Sequence, residues 1–88
     1  LHQIGIREYT FIARLNPSES NQVEEFIKWA RGNPHFVIII KAVGWVNLYY
    51  AFQVENNQQF KDIRSEIQKR LGKITLKEYR IEVEEFVK

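Results

Sequence analysis

Few residues in this sequence have the type and spacing that chemistry needs. The histidines are His2 and His35. Their separation fits no metal-ligand spacing, and with no Cys in the chain there is no thiolate to complete a zinc site. Both read as surface residues. No Ser or Lys stands in a recognisable nucleophile setting. Glu82, Glu84 and Glu85 could in principle offer paired carboxylates, but such a run near an end reads better as a solvated edge that discourages sheet aggregation. Arg64, Lys69, Arg70, Lys73 and Lys77 gather where a helix should finish. Cations there suit the helix dipole, and a phosphate-binding patch is the sharper alternative. What remains is the turn Gly44-Trp45-Val46-Asn47 and the aromatic segment Leu48–Val54 that follows it. No catalytic group, metal or cofactor is expected.

The elements that must position these residues follow from hydrophobic period. Residues 8–15 alternate, with Tyr9, Phe11, Ala13 and Leu15 on one side and Thr10, Ile12 and Arg14 on the other, as in a strand. Asn16-Pro17-Ser18 breaks it. Val23, Phe26, Ile27 and Ala30 then recur at helical spacing, predicting an amphipathic helix over about 20–31. Ser18, Ser20 and Asn21 are candidate caps, and Asn21 with Glu24 resembles a capping box. Gly32-Asn33-Pro34 ends that helix. Residues 35–43 are β-branched on both faces, Gly44 interrupts, and 46–54 alternate again, which predicts a hairpin. Asn56-Asn57 cap a second helix over about 57–71, with Phe60, Ile63, Ile67 and Leu71 inward and Gly72 as its stop. Residues 74–87 form a last strand, Tyr79, Ile81 and Val83 against Glu78, Arg80 and Glu82.

The order is βαββαβ. Two right-handed crossovers place both helices on one face of a four-stranded antiparallel sheet, a ferredoxin-like α+β sandwich. Eighty-eight residues make one domain, 1–88. Hydrophobic residues at 44% and charged residues at 27% are an ordinary globular mix. The longest apolar run, Phe36 to Ile40, is far short of the roughly 18 residues that cross a membrane. A cytoplasmic protein that does not enter a membrane is expected. Net charge is only +2, too mild to imply nucleic acid by itself. The sequence has no Met, so Leu1 is not expected to be the natural start, and something is expected upstream.

Two helices cover only one face of such a sheet. The uncovered face should carry Ile12, Val37, Ile39, Val43, Tyr49 and Ala51, contiguous rather than scattered. A self-complementary contact with a second copy would bury them. RNA-recognition modules share this element order and read bases with rings on the third and first strands. Here Tyr50 and Phe52 fall on the helix side, Val46-Asn47 stand where a basic residue and Gly are wanted, and Thr10 and Ile12 supply no ring. An acylphosphatase-type enzyme would need a Gly-rich anion loop with an Arg after the first strand, which Asn16-Pro17-Ser18 does not provide.

Gly44-Trp45-Val46-Asn47-Leu48, after an apolar strand preceded by Asn33-Pro34, resembles the effector-binding domain of the Lrp/AsnC transcriptional regulators. The following helix, Gly72-x-Ile74 and the opening Ile4-Gly5-Ile6-Arg7-Glu8-Tyr9 match its layout, and the resemblance spans nearly the whole chain. It implies a domain that dimerises through its sheet, assembles further and senses a small effector such as an amino acid, with DNA contacted only by a separate helix-turn-helix domain. The implied effector residues are Gly44, Trp45, Val46 and Asn47. The family's turn reads Gly-x-x-Asp, and here the Asp is Asn47. An amide offers donors and a neutral acceptor where a carboxylate would pair with an ammonium. Trp45 suits an assembly anchor or a lid. Two other classes share the fold: a stand-alone domain that modulates a regulator by mixed assembly, and a small dimeric monooxygenase. The latter needs a polar, roomy interior, and Phe11, Phe26, Leu48, Phe52 and Ile63 look too apolar and full for one.

Overall fold

The computed structural model describes residues 5–82. Its elements are β1 (Arg7–Leu15), α1 (Ser20–Arg31), β2 (Phe36–Lys41), β3 (Leu48–Val54), α2 (Asn57–Leu71) and β4 (Thr75–Ile81). The sheet order is β2-β3-β1-β4, with every neighbouring pair antiparallel. This is the ferredoxin-like sandwich that the element order predicts. The two strands of the hairpin are shorter than expected. Ala42 and Val43 leave β2, and Val46 and Asn47 precede β3, so these residues form a connection with Gly44 and Trp45. The expected strand residues beyond 82, with Val83, Glu84 and Glu85, lie outside the described residues, as does His2.

The core fills the space between sheet and helices. Phe11, Leu48, Tyr50 and Phe52 meet Phe26 and Ala30 of α1 and Ile63, Ile67 and Leu71 of α2. Tyr9, Phe36 and Phe60 extend an aromatic cluster at its margin, with ring centroids 4.5 to 6.1 Å apart. No polar or charged residue is buried among the described residues.

Helix ends follow the punctuation, with two differences in mechanism. Asn56 caps α2 as expected, its Oδ1 accepting from the Gln59 amide at 2.9 Å. The capping box does not form at α1. Ser20 opens the helix, Glu19 caps it without a side-chain bond, and Asn21 already lies in the first turn. Asn16 orders the approach instead, its Oδ1 accepting from the Ser18 amide and hydroxyl at 3.1 and 2.9 Å. Glu24, freed from capping, pairs with Lys41 of β2. Gly72 ends α2 in right-handed rather than left-handed backbone. Its missing side chain matters through close approach, because a Cβ there would sit 2.5 Å from the Gln68 carbonyl oxygen.

Register decides which residues share the uncovered face, and it corrects the expectation for β2. A bulge between Phe36 and Ile38 shifts the pairing by one residue, so Ile38 faces Ala51, Ile39 faces Tyr50 and Ile40 faces Tyr49. Ile39 therefore packs against the core, and Ile38 and Ile40 take the outer positions. Val37 is exposed at the bulge itself. Val43 is not on the sheet at all. It stands fully exposed in the connection after β2. Ile12, Tyr49 and Ala51 lie on the outer face as expected.

Candidate functional site

The β2–β3 connection folds back onto the end of β1, and one side chain fixes it there. Asn47 Oδ1 accepts from the Leu15 amide at 2.8 Å, and Asn47 Nδ2 donates to the Leu15 carbonyl at 3.0 Å. The amide thus imitates a peptide group and continues the antiparallel ladder beyond the last paired residue of β3. Its own backbone completes the clamp, donating to the Ala13 carbonyl at 3.1 Å and accepting from the Ala42 amide at 3.0 Å. A carboxylate could not do this, because it accepts only and would face the Leu15 carbonyl with like polarity. An amide rather than a carboxylate at position 47 is therefore matched to a structural task. Gly44 makes the reversal, at φ +130°, a conformation that side chains disfavour.

Trp45 stays on the surface, 66% exposed. The Arg14 guanidinium carbon lies over its ring, 3.8 Å from the centroid. Arg14 projects from the outer face of β1, so Trp45 reaches around the end of the sheet to that side. On the helix side of the same connection a cleft of about 170 Å³ lies between Leu15, Asn16, Pro17, Ser20, Val23, Lys41, Ala42 and Asn47. Gly44, Trp45 and Val46 do not line it. Of the four effector residues read from the sequence, only Asn47 borders the cleft, and its side-chain amide is already engaged with β1.

Beside this connection the outer face presents two rows that cross the whole sheet. One runs Ile40, Tyr49, Ile12, Tyr79, and the next runs Ile38, Ala51, Thr10, Ile81. Only Thr10 is not apolar or aromatic. Ile40 and Tyr79 are 51% and 41% exposed, whereas Ala51 forms a fully buried floor between its neighbours. Tyr79 and Ile81 are visible in the sequence as one side of a strand. Their place on this face depends on the pairing of β4 with β1, which alternation alone does not give.

The basic cluster at the end of α2 is largely consumed internally. Arg64 Nη2 donates to Glu78 Oε1 at 2.7 Å, and the guanidinium stacks over Phe11 at 4.5 Å. Tyr50 donates its hydroxyl proton to Glu78 Oε2 at 2.6 Å, closing a triad on the helix side of the sheet. Burial, then the hydrogen bond to Glu78, pushes the Tyr50 hydroxyl far above the usual tyrosine range. Burial opposes the Arg64 charge, but the hydrogen bond and charge of Glu78 outweigh it and raise its pKa further. Arg70 is held by Glu66 at 2.9 Å and stacks over Trp29, and Lys69 approaches the same carboxylate. Lys73 and Lys77 have no carboxylate partner among the described residues. His35 is half-buried, its Nδ1 2.8 Å from the Gln53 carbonyl. Among the described residues no three His, Cys, Asp or Glu side chains are grouped to hold a metal, and no helix is long and apolar enough to cross a membrane.

No family model and no curated protein matches the chain in sequence. Its fold is similar to two solved structures. The crystal structure of PH0061 superposes with a TM-score of 0.61 at 16% identity, covering 92% of this chain and 55% of that one. The crystal structure of MtbAldR gives a TM-score of 0.64 at 13% identity, covering 94% of this chain and 57% of that one. The likeness shows a shared fold over nearly all of this chain. The chain spans little more than half the length of either protein.

Proposed function

We propose that this chain is a non-catalytic oligomerisation and effector-sensing domain of the Lrp/AsnC regulator type, paired with a second copy through the outer face of its sheet. The observation that carries this reading is the pair of rows spanning all four strands. Isolated exposed apolar residues are ordinary, but adjacent residues on every strand form a patch of the kind that marks an interface. The resemblance around Gly44–Asn47 and the fold shared with PH0061 and MtbAldR support the assignment to this type.

In this reading the β2–β3 connection is a preorganised platform. Asn47 is its brace, and an amino-acid effector meets the Gly44–Val46 backbone and the Trp45 ring rather than the Asn47 side chain. The mechanism is linkage: an effector held between dimers favours one assembly, and attached DNA-binding domains respond to the altered spacing. Size-exclusion chromatography with light scattering tests the first part, and a dimer at micromolar concentration is the expected result. A thermal-shift screen of the amino acids at millimolar concentration tests the second. A ligand that binds the folded state must raise the melting temperature; silence across the set removes sensing and leaves assembly.

One observation favours a second reading. Tyr49 and Tyr79 flank Ile12 on the outer face, with Arg14 and Trp45 beside them, an arrangement of rings and cations that could stack single-stranded RNA. The isoleucines that complete both rows suit a dry contact better. Fluorescence titration with a mixed-sequence oligonucleotide separates the two.

A further inference from the structure

The outer face is polar at both ends of its apolar rows, and the two ends differ in sign. At one end Arg14 stands directly opposite Lys77 across the β1–β4 pair. Like charges in facing positions destabilise a sheet. Neither has a carboxylate partner among the described residues; Arg14 stacks on Trp45 and Lys77 lies 5.9 Å from the Tyr79 ring. At the other end Glu8 projects from the same face of β1, and among the described residues its one polar side-chain partner is Gln53, which donates to it at 2.9 Å. Six residues of strand separate Glu8 from Arg14, on the order of 20 Å. That exceeds a Debye length of about 8 Å, so neither end relieves the other.

We infer that a second copy lies on this face with its strands antiparallel to the first, about a two-fold that crosses β1 at the level of Phe11, so that each Glu8 meets Arg14 and Lys77 of the other copy. The inference rests on the dimer reading above and adds its orientation. Glu8 and Arg14 are each three positions from Phe11, and Thr10 and Ile12 are each one position from it. A single axis there brings opposite charges together and lays the bulky row over the small one. Tyr49 and Ile12 then enter the hollow floored by Ala51 and Thr10 of the partner, and the contact is repeated by symmetry. The other face-to-face two-fold, parallel to the strands, stacks Glu8 on Glu8 and gathers four cations at the opposite end. That arrangement repels at both ends.

Sedimentation equilibrium decides by sign. With the antiparallel orientation, raising salt weakens the wild-type dimer, and Glu8→Gln weakens it on the order of tenfold, Glu8→Arg more. Combining Glu8→Arg with Arg14→Glu and Lys77→Glu in one chain reverses both ends and restores the affinity to within about threefold of wild type. The salt series needs no variant, and far-UV circular dichroism confirms that each variant folds. A dimer that tightens with salt or with Glu8→Gln, or that ignores both, overturns the orientation and leaves the dimer standing. A wild-type monomer, with or without affinity for an oligonucleotide, overturns both.

Discussion

The two faces of one sheet are built from alternate residues of the same strands, yet they solve different problems. On the inner face Phe11, Tyr50 and Phe52 are covered by α1 and α2, and the one hydroxyl among them is bonded to Glu78. On the outer face Ile12, Tyr49 and Tyr79 form an equally continuous surface that no other element among the described residues covers. The inner face belongs to the fold, and the outer face is the one proposed above to serve assembly. The difference is set by the helices, both of which fall on one side in a βαββαβ chain, and not by the hydrophobicity of the strands.

Truncating the inner face should cost most. Phe52→Ala should lower stability by about 3–5 kcal/mol in chemical denaturation, regardless of protein concentration. Tyr49→Lys on the outer face should leave the circular dichroism of the monomer intact but cost about 2 kcal/mol or more per dimer, read by light scattering. If Tyr49→Lys instead unfolds the chain, the division between the faces fails. Asn47→Asp should cost about 1–3 kcal/mol, because the Leu15 carbonyl loses its donor and gains a facing carboxylate. Acidification should shrink that deficit, since protonating the new carboxyl returns a donor. Tyr50→Phe should be mildest, about 1 kcal/mol. It also carries a pH signature. The Tyr50 hydroxyl titrates higher folded than unfolded, so its stabilisation is complete below about pH 10 and is lost as pH rises above it. The variant should therefore lose less stability than wild type in alkaline denaturation.

Most of the fold can be read from the sequence, because period and punctuation are local. Asn16-Pro17, Gly32-Asn33-Pro34 and Asn56 mark boundaries that the structure places within a residue or two. The phase of β2 is different. Phe36–Ile40 is apolar throughout, so no alternation shows which residues face outward, and the bulge after Phe36 moves Ile39 inward. β4 fails in another way: its sides are plain, but only its pairing with β1 assigns Tyr79 and Ile81 to the outer face. The connection at Gly44–Asn47 is recognisable as a turn, while the work of Asn47 depends on Leu15, 32 residues away. The triad of Tyr50, Arg64 and Glu78 is likewise assembled from three separate elements, and only the apolar setting of Tyr50 hints that its hydroxyl would need a partner.

The Asn47 clamp makes the final turn of the first strand a gauge of the loop. The Leu15 amide hydrogen is shielded from solvent by a side chain that lies beyond the hairpin bend, so it should exchange with deuterium only when that bend lifts away. Any molecule that settles against Gly44–Val46 and steadies them should therefore slow exchange at Leu15 without touching it, and one backbone signal would register occupancy at a distance.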